Sequence, residues 1–208
     1  WFHQPALTYI VDATASTGIQ SQPLTMNFDF MSLVSLYLDF ASVSYGSIDP
    51  NVARSWAPGD TDLSTPDRTT IWNNGNANAE VAVGSTKMVL NWDGQGPTSE
   101  VADYDNAAKT ISDFDCALFY KGPTGTNEQV GYITFMADQN LKVVECTDDQ
   151  ATVPIVQVGP VGPVLLQSCR PAKIEFSVEP NPGIVNGNYG GRVTIELADY
   201  TGTQLEVN

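Results

Sequence analysis

RSWAPGDTDLSTPDRTTIWNNGNANAEVAV, Arg54 to Val83, carries two turn signals and two apolar runs. Pro58-Gly59-Asp60 is a turn, because proline fixes φ and glycine takes angles that other residues avoid. Asn73-Asn74-Gly75-Asn76 is a second, of the Asn/Gly composition that closes β-hairpins. Ile71 ends the run before it, and Val81 and Val83 open the alternating run after it. The stretch therefore predicts a hairpin entered from a Pro-Gly corner, with the rest of the chain as further strands packed around it.

Working outward, alternation dominates. Met26, Phe28, Phe30, Val34, Leu36, Leu38 and Phe40 share even positions, a period-2 pattern with one face in a core. The phase flips to Val43 and Tyr45, which predicts a bulge or bend near Ser42. Phe114, Cys116, Leu118 and Tyr120 alternate, then Val130 to Met136, Leu141 to Cys146, Ala151 to Val158, and Ile174, Phe176 and Val178. Val193, Ile195 and Leu197 follow, with a short last strand at Leu205 and Val207. Only Thr98 to Ser112 reads otherwise, as one short helix with Val101, Tyr104, Ala108 and Ile111 on a face. About a dozen short strands and at most one helix predict an all-β fold, a jelly-roll or Ig-like β-sandwich. Residues 1–23 read as an N-terminal extension, with an extended strand at Ala6, Leu7, Thr8, Tyr9, Ile10 and Val11 and a small, polar linker over 12–22. Residues 24–208 read as a single sandwich domain.

The chain has 208 residues, enough to bury a sizeable core, and 42% of them are hydrophobic. Nine Lys plus Arg stand against 24 Asp plus Glu, a net charge of −15. Such a chain does not suit nucleic acid or an anionic membrane surface. No apolar run approaches the roughly 18 residues of a membrane helix. The first residue is Trp1 rather than Met, which is expected of a mature secreted chain or a trimmed one. Cys116, Cys146 and Cys169 allow one disulfide of unassigned pairing in an oxidising compartment.

Catalytic chemistry finds little support. His3 is the only histidine, and no HExxH, GxSxG or phosphate-binding loop occurs. The chain reads as a non-enzyme. Aspartate outnumbers glutamate by 16 to 8 and clusters beside Asn and Gly. In an extended loop Asp103, Asp105 and Asn106 would converge on a calcium ion, as alternate residues do in calcium loops. Asp113 with Asp115, Asp148 with Asp149, and Asp60 with Asp62 are further pairs of this kind; solvated acidic loops are the simpler reading of each. Trp56, Trp72, Trp92 and Tyr104 would serve either a sugar-stacking face or core packing.

From Tyr45 onward the order of parts resembles the TasA/camelysin type of secreted β-sandwich fibre subunit. The parts are Trp56-Ala57-Pro58-Gly59-Asp60, Thr69-Thr70-Ile71-Trp72, Asn74-Gly75-Asn76 and Ala79-Glu80-Val81-Ala82-Val83. Pro182-Gly183 through Asn188-Tyr189-Gly190-Gly191-Arg192-Val193-Thr194-Ile195 is similar to the last strand pair of such surface domains. The Asp-rich residues 91–115 depart from the pattern. The resemblance implies an exported subunit of an extracellular filament, pilus or cannula-type tubule. Each N-terminal strand would complete the sheet of the next copy, with Ala6 to Val11 as donor and calcium as a possible aid. The alternative is a monomeric secreted module that binds carbohydrate or a surface.

Overall fold

The computed structural model describes residues 7–16, 21–50, 54–94, 102–121, 127–146 and 163–199. Every regular element among them is a strand. In chain order these are β1 (Thr8–Ser16), β2 (Ser21–Asp29), β3 (Leu36–Leu38), β4 (Ser55–Trp56), β5 (Thr70–Asn73), β6 (Ala79–Ser85), β7 (Met88–Leu90) and β8 (Thr110–Ile111). They continue as β9 (Asp113–Lys121), β10 (Asn127–Met136), β11 (Lys142–Val143), β12 (Glu145–Cys146), β13 (Leu165–Leu166), β14 (Pro171–Glu179), β15 (Tyr189–Gly190) and β16 (Val193–Asp199). The strands expected at 151–158 and 205–207 lie outside the described residues.

Two sheets build the body. The larger runs β12-β10-β9-β14-β5-β3, with β4 also beside β14. The smaller centres on β6, which pairs with β16 along its whole length and with β11 and β13 on its other edge. The alternation read from sequence drives their packing. Phe114, Cys116, Leu118 and Tyr120 of β9 and Ile174, Phe176 and Val178 of β14 are all buried, and they form one cluster with Val81 and Val83 of β6. Inner faces of two antiparallel sheets sharing one core make a β-sandwich. A small third sheet, β15-β7-β8, stands at one end.

The Arg54–Val83 stretch does not form the expected hairpin. β5 belongs to the larger sheet and β6 to the smaller one, so the Asn-rich turn is an arch between layers. Asn73 holds the corner. It is fully buried, and its Nδ2 donates to the carbonyls of Ala77 at 2.6 Å and Leu166 at 3.2 Å. Nor is Gly59 a positive-φ residue; it is glycine because a Cβ there would lie 2.6 Å from the Ile174 carbonyl oxygen. The helix expected over 98–112 is also absent among the described residues. Asp103 takes φ 72, and residues 102–109 form successive turns, with Asn106 N bonding Asp103 O and Lys109 N bonding Asn106 O.

Candidate functional site

Of the expected donor strand, Leu7 to Val11 are described and Ala6 is not. Thr8 onward lies in β1, which pairs with β2 of the same chain in unbroken register from Thr8↔Asp29 to Ser16↔Ser21. Residues 12–16 and 21–22, read from sequence as linker, are thus ladder. A continuous hydrogen-bonded ladder accepts the Thr, Ser and Ala that lack a strong apolar pattern. Residues directly opposite one another share a face. Leu7, Tyr9 and Val11 therefore lie beside Phe30, Phe28 and Met26, with Tyr9 stacked on Phe28 at 5.4 Å and edge-on to Phe30 at 6.3 Å. The other face is mostly polar: Thr8 donates to Asp29 at 2.6 Å and Thr25 to Asp12 at 2.7 Å, with the exposed Ile10 opposite Asn27 between them.

No element among the described residues covers the apolar face. Leu7 is 61% exposed, Met26 59%, Val11 48% and Phe28 46%. Neither β1 nor β2 pairs with any further strand among the described residues. The Met26–Phe40 alternation, read as core, is thereby split. Its first half lies on the hairpin, and only Leu36, Leu38 and Phe40 pack against the core cluster.

The Asn arch anchors the hairpin's root. Asn76 Oδ1 accepts from Leu33 N at 2.6 Å, and its Nδ2 donates to Met31 O at 3.0 Å. Asn76 N and Asn74 N donate to Leu33 O and Ser35 O at 2.8 and 2.7 Å. Gly75 is required by this contact, because a Cβ would stand 2.0 Å from the Leu33 carbonyl oxygen.

After β3 the chain runs without strand pairing from Asp39 to Pro50, with bends at Asp39 and Ala41, where the sequence predicted a bulge or bend near Ser42. Between this segment and the β15–β16 end of the smaller sheet lies a cavity of about 500 Å³, lined by Leu38, Phe40 and Val43 on one side and Met88, Val193 and Ile195 on the other. A second cavity of about 370 Å³ continues it, sharing Val43, Tyr45, Met88 and Tyr189. Together they form one groove, apolar where Leu38, Phe40 and Ile195 line it and more polar toward Ser44, Ser47, Asn186 and Asn188. The Tyr45 hydroxyl and the Trp92 indole Nε1 are buried in its lining without a hydrogen-bond partner. Burial, with the Cys116 thiol nearby, pushes the Tyr45 hydroxyl well above its usual range. Sequence reasoning missed Tyr45 as a functional candidate and had Trp92 only among the aromatics for a sugar-stacking face or core packing. The one available signal was the lost alternation after Phe40.

The carboxylates expected to hold calcium face cations of the chain itself. Asp103 pairs with Lys109 at 2.8 Å and Asp105 with Lys87 at 3.2 Å, while Asn106 caps its own turn through Ala108 N at 3.1 Å. Asp113, Asp115 and Glu179 surround Arg54 at 3.0, 2.8 and 2.9 Å. Asp115 is 1% exposed and also accepts from Thr134 at 2.7 Å, so this knot ties β4, β9, β10 and β14 together. Asp60 and Asp62 accept from Thr65 and Ser64 in a local turn, and the Ser64 hydroxyl and amide hold the Asp62 carboxyl below its usual range. No group of three or more metal-ligating side chains occurs among the described residues, and Asp148 and Asp149 lie outside them.

The aromatic candidates are dispersed. Trp56 and Trp72 sit opposite Ser177 and Pro171, roughly 20 Å apart along β14 at strand rise. Trp92 lines the groove and Tyr104 is buried at the other end of the chain's Asp-rich loop. Cys116 is fully buried with a free thiol that burial pushes far up, so the two disulfide pairings that use it are not formed. Cys169 Sγ lies 3.7 Å from Gly75 O. The chain matches no protein-family model, no curated protein and no solved structure.

Proposed function

We propose that this chain is a structural subunit of an extracellular filament or tubule, built by docking the N-terminal β1–β2 hairpin of one copy on the sandwich of the next. The observation that carries this reading is the apolar hairpin face, whose Leu7, Val11, Met26 and Phe28 lie about half exposed, opposite a mostly polar face that carries one apolar residue, Ile10. An exposed apolar strand pair on an otherwise well-packed body is a surface built for a partner. A contact between two different surfaces of the same chain does not close on itself, so it propagates.

Magnitudes say what kind of docking is needed. Completing the burial of half-exposed side chains of this size contributes about 1 kcal/mol each, or about 4 kcal/mol for the four of this face. Association costs about 4–15 kcal/mol. The face alone is marginal, so the hairpin must also gain backbone pairing at an open sheet edge, which is the logic of strand addition. The single strand expected from sequence is replaced in this scheme by a two-stranded donor.

Negative-stain microscopy of the full chain, with calcium and with chelator, tests the reading. Regular filaments or tubes are expected under at least one condition. Val11→Asp, at an exposed position, should abolish them while leaving the far-ultraviolet spectrum and melting temperature unchanged. A chain that stays monomeric in every condition, or a Val11→Asp chain that assembles normally, sinks the proposal.

A further inference from the structure

We infer that the groove between Leu38–Ile48 and the β15–β16 end of the smaller sheet is the seat for the hairpin of a second copy, with Tyr45 and Trp92 as its polar anchors; this rests on the assembly reading above. The groove is where the sandwich is incomplete. Val43, Met88, Val193 and Ile195 pack against the core from one side and line open space on the other. β16 bonds β6 along seven residue pairs, and its outer edge has no partner among the described residues. Such an edge is a template for an incoming strand, whose alternate side chains would enter the groove.

Three buried donors lack a partner among the described residues, and two of them, on Tyr45 and Trp92, bear on the chemistry of the occupant; the third, Trp72 Nε1, is not in the groove lining. A buried N–H or O–H without an acceptor is rare in a finished fold, because its lost hydration is not replaced. Here two of them, the Tyr45 hydroxyl and the Trp92 indole, belong to residues that line the larger, more apolar cavity of the groove. The occupant must therefore bring acceptors together with apolar bulk. A β-strand edge does this through its carbonyls, and the hairpin supplies the bulk on a single face.

Local charge at the rim is complementary to the hairpin of this chain. At net −15 two copies repel, so an attractive contact has to be local. Arg192 stands exposed at the groove rim and has no ion pair among the described residues. The polar side of the hairpin carries Asp12 and Asp29. With the apolar face turned into the groove, that acidic side is left at the rim beside Arg192. A rim contact of this kind steers association and fixes register.

Photo-crosslinking reads the seat directly. Phe28 is replaced by p-benzoylphenylalanine in the full chain, and equal amounts of ordinary and nitrogen-15 protein are assembled, irradiated and digested. Mixed-isotope cross-links from position 28 to residues 38–48 or 189–195 are expected. Filaments whose cross-links map elsewhere overturn the groove assignment while the assembly reading stands. Same-isotope links alone to the groove mean that the hairpin fills its own sandwich, which overturns the seat as well. Failure of the unsubstituted chain to assemble removes both. Tyr45→Phe, lacking only an unpartnered hydroxyl, should raise the critical concentration for assembly about fivefold without lowering the melting temperature of the free chain. An unchanged critical concentration overturns the anchor role.

Discussion

The β1–β2 hairpin and the β9–β14 pair have the same grammar and opposite fates. Each pairs antiparallel strands of nine residues, and each alternates large apolar side chains. Phe176 of β14 is 1% exposed and Phe28 of β2 is 46% exposed. Period 2 states that a strand owns an apolar face, but it does not state whose atoms cover that face. In β9–β14 the cover is β6 of the same chain; on the hairpin no element among the described residues supplies it. The largest expected effect breaks the symmetry outright. Phe176→Ala should cost about 3–5 kcal/mol in urea unfolding, because it leaves a cavity in the shared core. Phe28→Ala should change that quantity by less than about 1 kcal/mol and yet abolish assembly. Equal destabilisation by the two substitutions would mean that the hairpin belongs to the body after all.

A smaller effect is expected where the two regions meet. Gly75→Ala would drive a methyl group into the Leu33 carbonyl, and the least costly relief is to push residues 31–35 off the arch. Overpacking of this kind costs about 1–3 kcal/mol. Hydrogen exchange should show lost protection at the amides of Leu33, Asn76 and Ala77, with β9 and β14 unchanged. Equal loss throughout would show that the hairpin root and the body open as one unit.

This contrast marks how far the sequence could be read. The body strands were legible because Phe114, Cys116, Leu118 and Tyr120 meet Ile174, Phe176 and Val178 on one face, and burial follows alternation. The arch was not. An Asn-Gly turn is a local signal, and whether its flanking strands pair with one another is decided by distant ones, here β14 for β5 and β16 for β6. A buried asparagine such as Asn73 leaves no mark in a hydropathy pattern. The acidic pairs were visible as residues but not as partners, since Lys87, Lys109 and Arg54 reach them from other parts of the chain. The groove was least legible. Its walls come from residues 38–48 and 189–195, and an unpartnered Tyr45 hydroxyl is a fact of three dimensions only.

Two tyrosines sharpen the comparison at the smallest expected effect. Tyr104 is closed by its own chain: its hydroxyl donates to Asp138, Lys87 sits 4.6 Å from its ring centre, and Asp138 N is held by Ser85 O. Burial first, and then Asp138, push its hydroxyl up from 10.0 to about 12. Below pH 10 the folded and unfolded chains both keep this proton, and the contribution is fully present. Above it the unfolded chain releases the proton first, so stability is lost as pH rises through about 12. Tyr45 and Tyr120, also raised by burial, add to the same alkaline decline. Tyr104→Phe should make the fall in urea midpoint between pH 10 and 12 shallower and leave assembly at pH 7 untouched, since nothing on that hydroxyl awaits a partner. Tyr45→Phe should do the reverse at pH 7, weakening assembly without weakening the fold. Under the proposed assembly, a hydroxyl already satisfied within the chain serves stability, and one buried in the groove lining without an acceptor serves the next copy; identical responses of the two variants would dissolve that distinction.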